Sequence, residues 1–251
     1  MSDVHEALKN LVERLHDAAR ENLESIILYG SAARSDFHET HSDLNVLCIL
    51  RSLRTAELGR VSGVVKWWTS VQHQPAPLFF SAEELRQSAD VFAIEILDMQ
   101  QSHRVLYGND VVAGISVPMN LHRIQVEHEL RTLLLKLRQH LVRDEENQQE
   151  LWAILAKSFS STLTLLRHTL IAFQERPPSA ANELFARIAA LTGASASAFE
   201  SVGRLRGAKS LDKDAVFPAY DDYLAALEKV VTALEHHLPK GQWQRLAKKS
   251  S

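Results

Sequence analysis

Strand-like runs in this 251-residue sequence stop before Pro118, and the remainder is patterned for helix, so the chain divides into an α/β segment and an all-α segment. In the first segment Val4, Leu8, Leu11, Val12 and Leu15 recur at helical spacing behind Ser2 and Asp3, which predicts an amphipathic helix over residues 3 to 20. Ser25-Ile26-Ile27-Leu28-Tyr29 and Leu44-Asn45-Val46-Leu47-Cys48-Ile49-Leu50 are short apolar runs with the character of buried strands. The spacing of Leu58, Val61, Val65 and Trp68 predicts a helix between Leu53 and Val71. Ala76-Pro77-Leu78-Phe79-Phe80 predicts a third strand, which Pro77 confines to an edge or to a strand start. Ser81-Ala82-Glu83-Glu84 has the form of a capping box ahead of a short helix, and the alternation from Val91 to Asp98 predicts a fourth strand.

Beyond Pro118 one helical stripe runs through Leu130, Leu134, Leu137 and Leu141, and a second through Leu151, Ile154, Leu155, Phe159, Leu166 and Leu170. Pro177-Pro178 interrupts the pattern, shorter helices are expected over residues 180 to 206, and Tyr220, Leu224, Leu227, Val231, Leu234 and Leu238 mark a final long helix. The domain reading is therefore residues 1–118, a helical bundle over 119–238 and a basic tail over 239–251 carrying Arg245, Lys248 and Lys249. The expected fold is α+β, with an α/β N-terminal part: a short mixed sheet with helices on one side, followed by an all-α bundle.

A hydrophobic fraction of 45% is enough to form a core and argues against disorder. With 28 Lys and Arg against 31 Asp and Glu, the net charge of -3 gives no global attraction for nucleic acid. The single cysteine, Cys48, excludes an intrachain disulfide and fits a reducing compartment; its apolar surroundings in the sequence suggest a buried, inert thiol. Asp3, Glu6 and Lys9 interrupt the N-terminus, unlike a signal peptide, and no stretch approaches the ~20 apolar residues needed to span a bilayer. A cytoplasmic protein with no membrane partner is expected.

The chemistry concentrates in Leu28-Tyr29-Gly30-Ser31-Ala32-Ala33-Arg34 and in Ser42-Asp43-Leu44-Asn45. Gly30 has no Cβ and lets backbone approach a phosphate closely; Ser31 adds a hydroxyl. A helix opening just after the turn would aim unpaired N–H groups and a positive dipole end at an anion, and Arg34 would add a charge-assisted bond. In order and spacing these residues resemble the minimal nucleotidyltransferase superfamily, which includes the kanamycin-type aminoglycoside enzymes and the small antitoxin nucleotidyltransferases. Its pattern is a strand, a Gly-Ser turn opening a helix with a nearby Arg, then Ser-Asp-x-Asp on the next strand.

The resemblance implies that Gly30, Ser31, Arg34, Ser42 and Asn45 contact a nucleoside triphosphate, that Asp43 is catalytic and ligates Mg²⁺, and that a nucleoside monophosphate passes to a hydroxyl-bearing acceptor. It also implies an all-α part that closes over the Gly30-Ser31 turn. The sequence departs from the family at two points. Asn45 stands where the second carboxylate belongs, with one neutral amide oxygen, and the third strand, Ala76 to Phe80, carries no acid. A site with one carboxylate holds two metals poorly, so metal-dependent catalysis should be impaired. The alternative is a non-catalytic nucleotide-binding or protein-binding module, and a homodimer is left open. Glu95 or Asp98, placed on the fourth strand, would be substitute ligands.

Other candidates have plainer readings. Trp67, Trp68 and Trp152 would be base-stacking platforms if they lined a cleft, and core packing otherwise. Glu127, Arg131, Lys136 and Arg138 would be acceptor contacts across an interdomain cleft, or simply a charged outer face. Arg123 and His128 are expected on a solvent-facing helix, and the adjacent His236 and His237 are badly spaced to share a metal.

Overall fold

A computed structural model describes residues 2–33, 43–207 and 213–237. The expectations for Arg34 and Ser42 and for the tail 239–251 lie outside the described residues. The chain forms two compact units, Met1–Pro118 and Met119–Ser251.

In the first unit α1 (Ser2–Ala19) leads into β1 (Leu23–Tyr29), followed by β2 (Asn45–Leu50), α2 (Thr55–Ser70) and β3 (Leu78–Phe80). Next come α3 (Ala82–Gln87), α4 (Ala93–Gln101) and β4 (His103–Gly108). The four strands make one mixed sheet in the order β3-β2-β1-β4. β1 runs antiparallel to β2 and β4, while β2 and β3 are parallel. A parallel pair needs a long crossover, and α2 lies within it. β3 is an edge strand, the position that Pro77 requires.

Both faces of the sheet are covered, which corrects the expectation of helices on one side. Ile26, Leu28, Val46, Cys48 and Leu50 point to the face packed by Leu8, Leu11 and Leu15 of α1 and by Val61 and Trp68 of α2. The alternate residues Ile27, Leu47 and Ile49 are buried on the opposite face against Leu85, Ala89, Ile96, Met99, Val112 and Ile115. An uninterrupted apolar run, as in β1 and β2, needs cover on both sides.

The segment expected as a fourth strand is instead α4. Ala93, Ile96 and Met99 are buried at intervals of three, a helical repeat that the Ile94-Glu95-Ile96 alternation obscures. The fourth strand comes later, at β4, an edge whose half-buried residues carry little apolar signal. The capping box is present: Ser81 Oγ accepts the Glu84 N–H at 3.1 Å, and the Glu84 carboxylate accepts the Ser81 N–H at 3.5 Å.

The second unit is α-helical: α5 (Met119–Arg143), α6 (Gln148–Ala172), α7 (Ala181–Thr192), α8 (Ala196–Gly207) and α9 (Lys213–His236). Its core takes Leu130, Leu134 and Leu137 from α5, Leu151, Leu155, Leu166 and Leu170 from α6, and Tyr220, Tyr223, Leu227 and Leu234 from α9. Several buried polar groups are paired within it. Tyr220 donates to the Leu137 carbonyl at 2.7 Å, the Tyr223 and Thr162 hydroxyls meet at 2.5 Å, and His122 and His168 share a 2.9 Å bond. No helix among the described residues is long and apolar enough to cross a membrane.

Candidate functional site

Antiparallel pairing of β1 and β2 sets the last residue of one opposite the first of the other, Tyr29 against Asn45. The chain therefore leaves β1 at Gly30 and enters β2 past Asp43 at the same end of the sheet. Gly30 has φ +78, a left-handed conformation that side chains resist, and a Cβ built there would stand 3.4 Å from the Asn45 amide nitrogen. Side chains alternate between faces, so Tyr29, Asn45 and His103, the partner of Tyr29 on β4, fall in one row across three strands. Tyr29 packs with the cluster on that face. Burial, and then the negative charge of Glu95, hold its hydroxyl above the ordinary range. Asp43 is exposed, and the next residue is pinned by a 2.9 Å bond from the Leu44 N–H to Gln74 Oε1.

The expected helix after the turn is a four-residue 3-10 turn, Gly30–Ala33, as far as the described residues run. The Gly30 N–H is committed, donating to the Ser102 carbonyl at 3.0 Å.

Ser102 sits between α4 and β4, in a segment that carries no motif to mark it as part of the site. His103 places Nδ1 2.9 Å from the Met99 carbonyl and Nε2 2.9 Å from Asp110 Oδ2. Asp110 Oδ1 accepts the Val112 and Ala113 N–H groups at 3.0 and 3.1 Å. Partial burial pushes the Asp110 carboxyl up, but the His103 bond, the two backbone bonds and the charge of His103 pull it below the ordinary carboxylate range.

Among the described residues the donor set does not fit a two-metal clamp. Asp43 is a carboxylate, Asn45 a neutral amide, and β3 consists of Leu78, Phe79 and Phe80. Among the described residues no three His, Cys, Asp or Glu side chains are grouped to hold a metal ion. Glu95 and Asp98 belong to α4 and not to a strand, a correction that places them on a helix packed over the Tyr29 face.

Other sequence candidates serve packing. Trp68 is fully buried, the Arg14 guanidinium lies 4.3 Å from the Trp67 ring centre, and Trp152 donates to the Leu205 carbonyl at 3.0 Å. Burial pushes the Cys48 thiol far up, so it stays protonated. Arg123, expected at a solvent-facing position, is only 3% exposed and donates to the Leu234 carbonyl at 2.6 Å and to Glu127 at 2.9 Å. Carbonyls in the last turn of a helix are short of intrahelical donors, and this one, which takes the His237 N–H at 3.2 Å, also draws the guanidinium inward. His128 is exposed as expected. Arg131 pairs with Glu127 and Glu235, and Arg138 with Glu228, which ties α5 to α9. A depression of about 740 Å³, lined by residues such as Arg20, Arg51 and Tyr107, lies at the far end of β1 from Gly30.

No protein-family model matches the chain, and no curated protein matches it either. Among solved structures it is similar to a spectinomycin adenyltransferase from Enterococcus faecialis, determined with ATP and spectinomycin. The identity is 12% and the TM-score 0.53, over 92% of this chain and 99% of that one.

Proposed function

We propose that this chain, whose α+β fold is nucleotidyltransferase-like, binds a nucleoside triphosphate at the Gly30-Ser31 turn. In this reading nucleotidyl transfer to a hydroxyl acceptor is slow at best. The observation that supports it is the meeting of Gly30, at φ +78 and without a Cβ, with Asn45 at the end of the sheet where Asp43 enters. Backbone that bare, beside a polar side chain, suits a triphosphate, and Arg34 and Ser42 are the further residues proposed to contact it. Asp43 is the residue proposed to face a magnesium ion carried in by the nucleotide. Losing one electrostatic stabiliser costs about 2 to 4 kcal/mol, roughly a hundredfold or more in rate, and Asn45 and the acid-free β3 remove two.

The test is a thermal shift with each of the four nucleoside triphosphates, with Mg²⁺ and with chelator. At a ligand concentration of about a hundred times Kd, stabilisation approaches ~2.7 kcal/mol, a rise of several degrees. The expected result is a rise that survives chelation, with Gly30→Val abolishing it. No rise with any nucleotide overturns the reading. In transfer assays spectinomycin, present in the similar structure, is the first acceptor to try.

A further inference from the structure

His103 is held by two groups, and both are acceptors. The Met99 carbonyl has no proton to give, nor does an ionised Asp110 carboxylate, and each stands 2.9 Å from a ring nitrogen. A neutral imidazole carries one N–H and satisfies one of them; an imidazolium carries two and satisfies both. The ring is 15% exposed, so water replaces a lost partner poorly. Around it the network closes. Asp110 Oδ1 holds the Val112 and Ala113 N–H groups, and Gln100 Nε2 donates to the Val112 and Ile115 carbonyls at 3.0 and 2.7 Å. The Ser102 N–H is taken by the Asp98 and Met99 carbonyls at 3.2 Å, while the Ser102 carbonyl receives the Gly30 N–H. The stretch from Asp98 to Ile115 is thus a hydrogen-bonded frame that pairs with β1 through β4, and its contact with the turn itself is the Gly30 N–H on the Ser102 carbonyl.

We infer that His103 and Asp110 form a protonation-dependent strap that positions the Gly30 turn. With His103 protonated both contacts are closed and the turn keeps its geometry; with His103 neutral the one ring N–H serves either Asp110 or Met99, the other contact faces two lone pairs, and the turn loosens. This deepens the proposed function, since the regulated event is nucleotide binding at that turn, and it rests on that reading. His103 is a positioning residue, acting through Ser102. The charged or titratable groups on the elements packed around it are Tyr29 on β1, Glu95 and Asp98 on α4, Arg104 beside it on β4, and Asp110. Of these, Asp110 is within ion-pair distance of the ring.

Asp110→Asn tests the logic because it reverses the sign. The Asn amide donates to a neutral His103 Nε2, while its oxygen still accepts from Val112 and Ala113, so the variant strap closes when His103 is neutral and opens when it is charged. The experiment follows the Gly30 amide and the His103 ring by NMR in the full chain, from about pH 5.5 to about pH 8.5. ATP affinity is measured by calorimetry over the same range and referred to His103→Ala, which cancels the nucleotide's own titration. In the wild type the Gly30 amide is expected to titrate with the His103 ring, and ATP to bind about tenfold more weakly at the alkaline end, the scale of one charge-assisted hydrogen bond. In Asp110→Asn that preference inverts, and in His103→Ala the Gly30 titration disappears. A Gly30 amide that ignores the ring, or an Asp110→Asn variant with the wild-type pH slope, overturns the strap. If ATP fails to bind at every pH while Gly30 still follows the ring and Asp110→Asn inverts it, the nucleotide reading falls and the strap stands.

Discussion

Asn45, placed by the proposed nucleotidyltransferase reading where a second carboxylate would stand, presents an amide nitrogen 3.4 Å from the place a Gly30 Cβ would occupy. Asn45→Asp changes one atom of the side chain and adds a full charge, so it tests whether the missing acid alone limits transfer. If it does, the variant gains labelled-nucleotide transfer by about a hundredfold over the wild type, and only with Mg²⁺ present. An unchanged rate in a variant that still binds nucleotide points to the acid-free β3 as a second block. Arg123 carries a separate prediction, because its guanidinium is buried and bonded to Leu234 and Glu127. Arg123→Ala removes the shorter of the Leu234 carbonyl's two donors and leaves the His237 N–H at 3.2 Å, while Glu127 keeps Arg131. The expected loss is about 2 kcal/mol, below that of a fully orphaned buried pair, and would be read from the urea midpoint. For Asp110 the lowered carboxyl means a contribution to stability that is present above the ordinary carboxylate value of ~3.9 and lost as pH falls through its own lower value. Acid denaturation of Asp110→Asn should lack that component.

Secondary-structure elements differ in how openly they announce themselves, and β4 shows why. Its residues are half-buried or exposed on an edge, so no apolar alternation marks it, whereas α4 just before it carries Ile94-Glu95-Ile96, which imitates a strand. The central strands are legible because burial on both faces makes their apolar runs continuous, and α3 is legible from its capping box. In the candidate site Gly30, Asp43 and Asn45 can be read from residue type and order. Gln74, Ser102, His103 and Asp110 cannot, because they act through backbone contacts brought together by the fold. Gly108 at the end of β4 gives an element-scale test. It has φ +74, and a Cβ there would stand 1.9 Å from the Glu24 carbonyl oxygen on β1, so Gly108→Ala must push the edge strand outward. Left-handed strain and the displaced pairing together should destabilise the first unit by more than about 2 kcal/mol, seen as a lower melting midpoint. An unchanged midpoint would mean that β4 is not held against Glu24 as described.

At the scale of the whole chain, the division after Pro118 decides which properties belong to which unit. The first unit carries both sheet-facing clusters, and the residues that build them all fall within Met1–Pro118. A segment of that length is within the ordinary size range of an independent domain. A fragment of residues 1–118 should therefore fold alone and unfold in one cooperative transition by circular dichroism. The turn at Gly30, the strap through His103 and the entry to β2 lie within it too. If a nucleoside triphosphate is held by that machinery alone, the fragment keeps the chelator-resistant stabilisation expected of the full chain. A fragment that folds cooperatively but gains nothing from any nucleotide would assign part of the binding to the helical unit. That result would send mutagenesis to α5, to Glu127, Arg131, Lys136 and Arg138, rather than to the sheet.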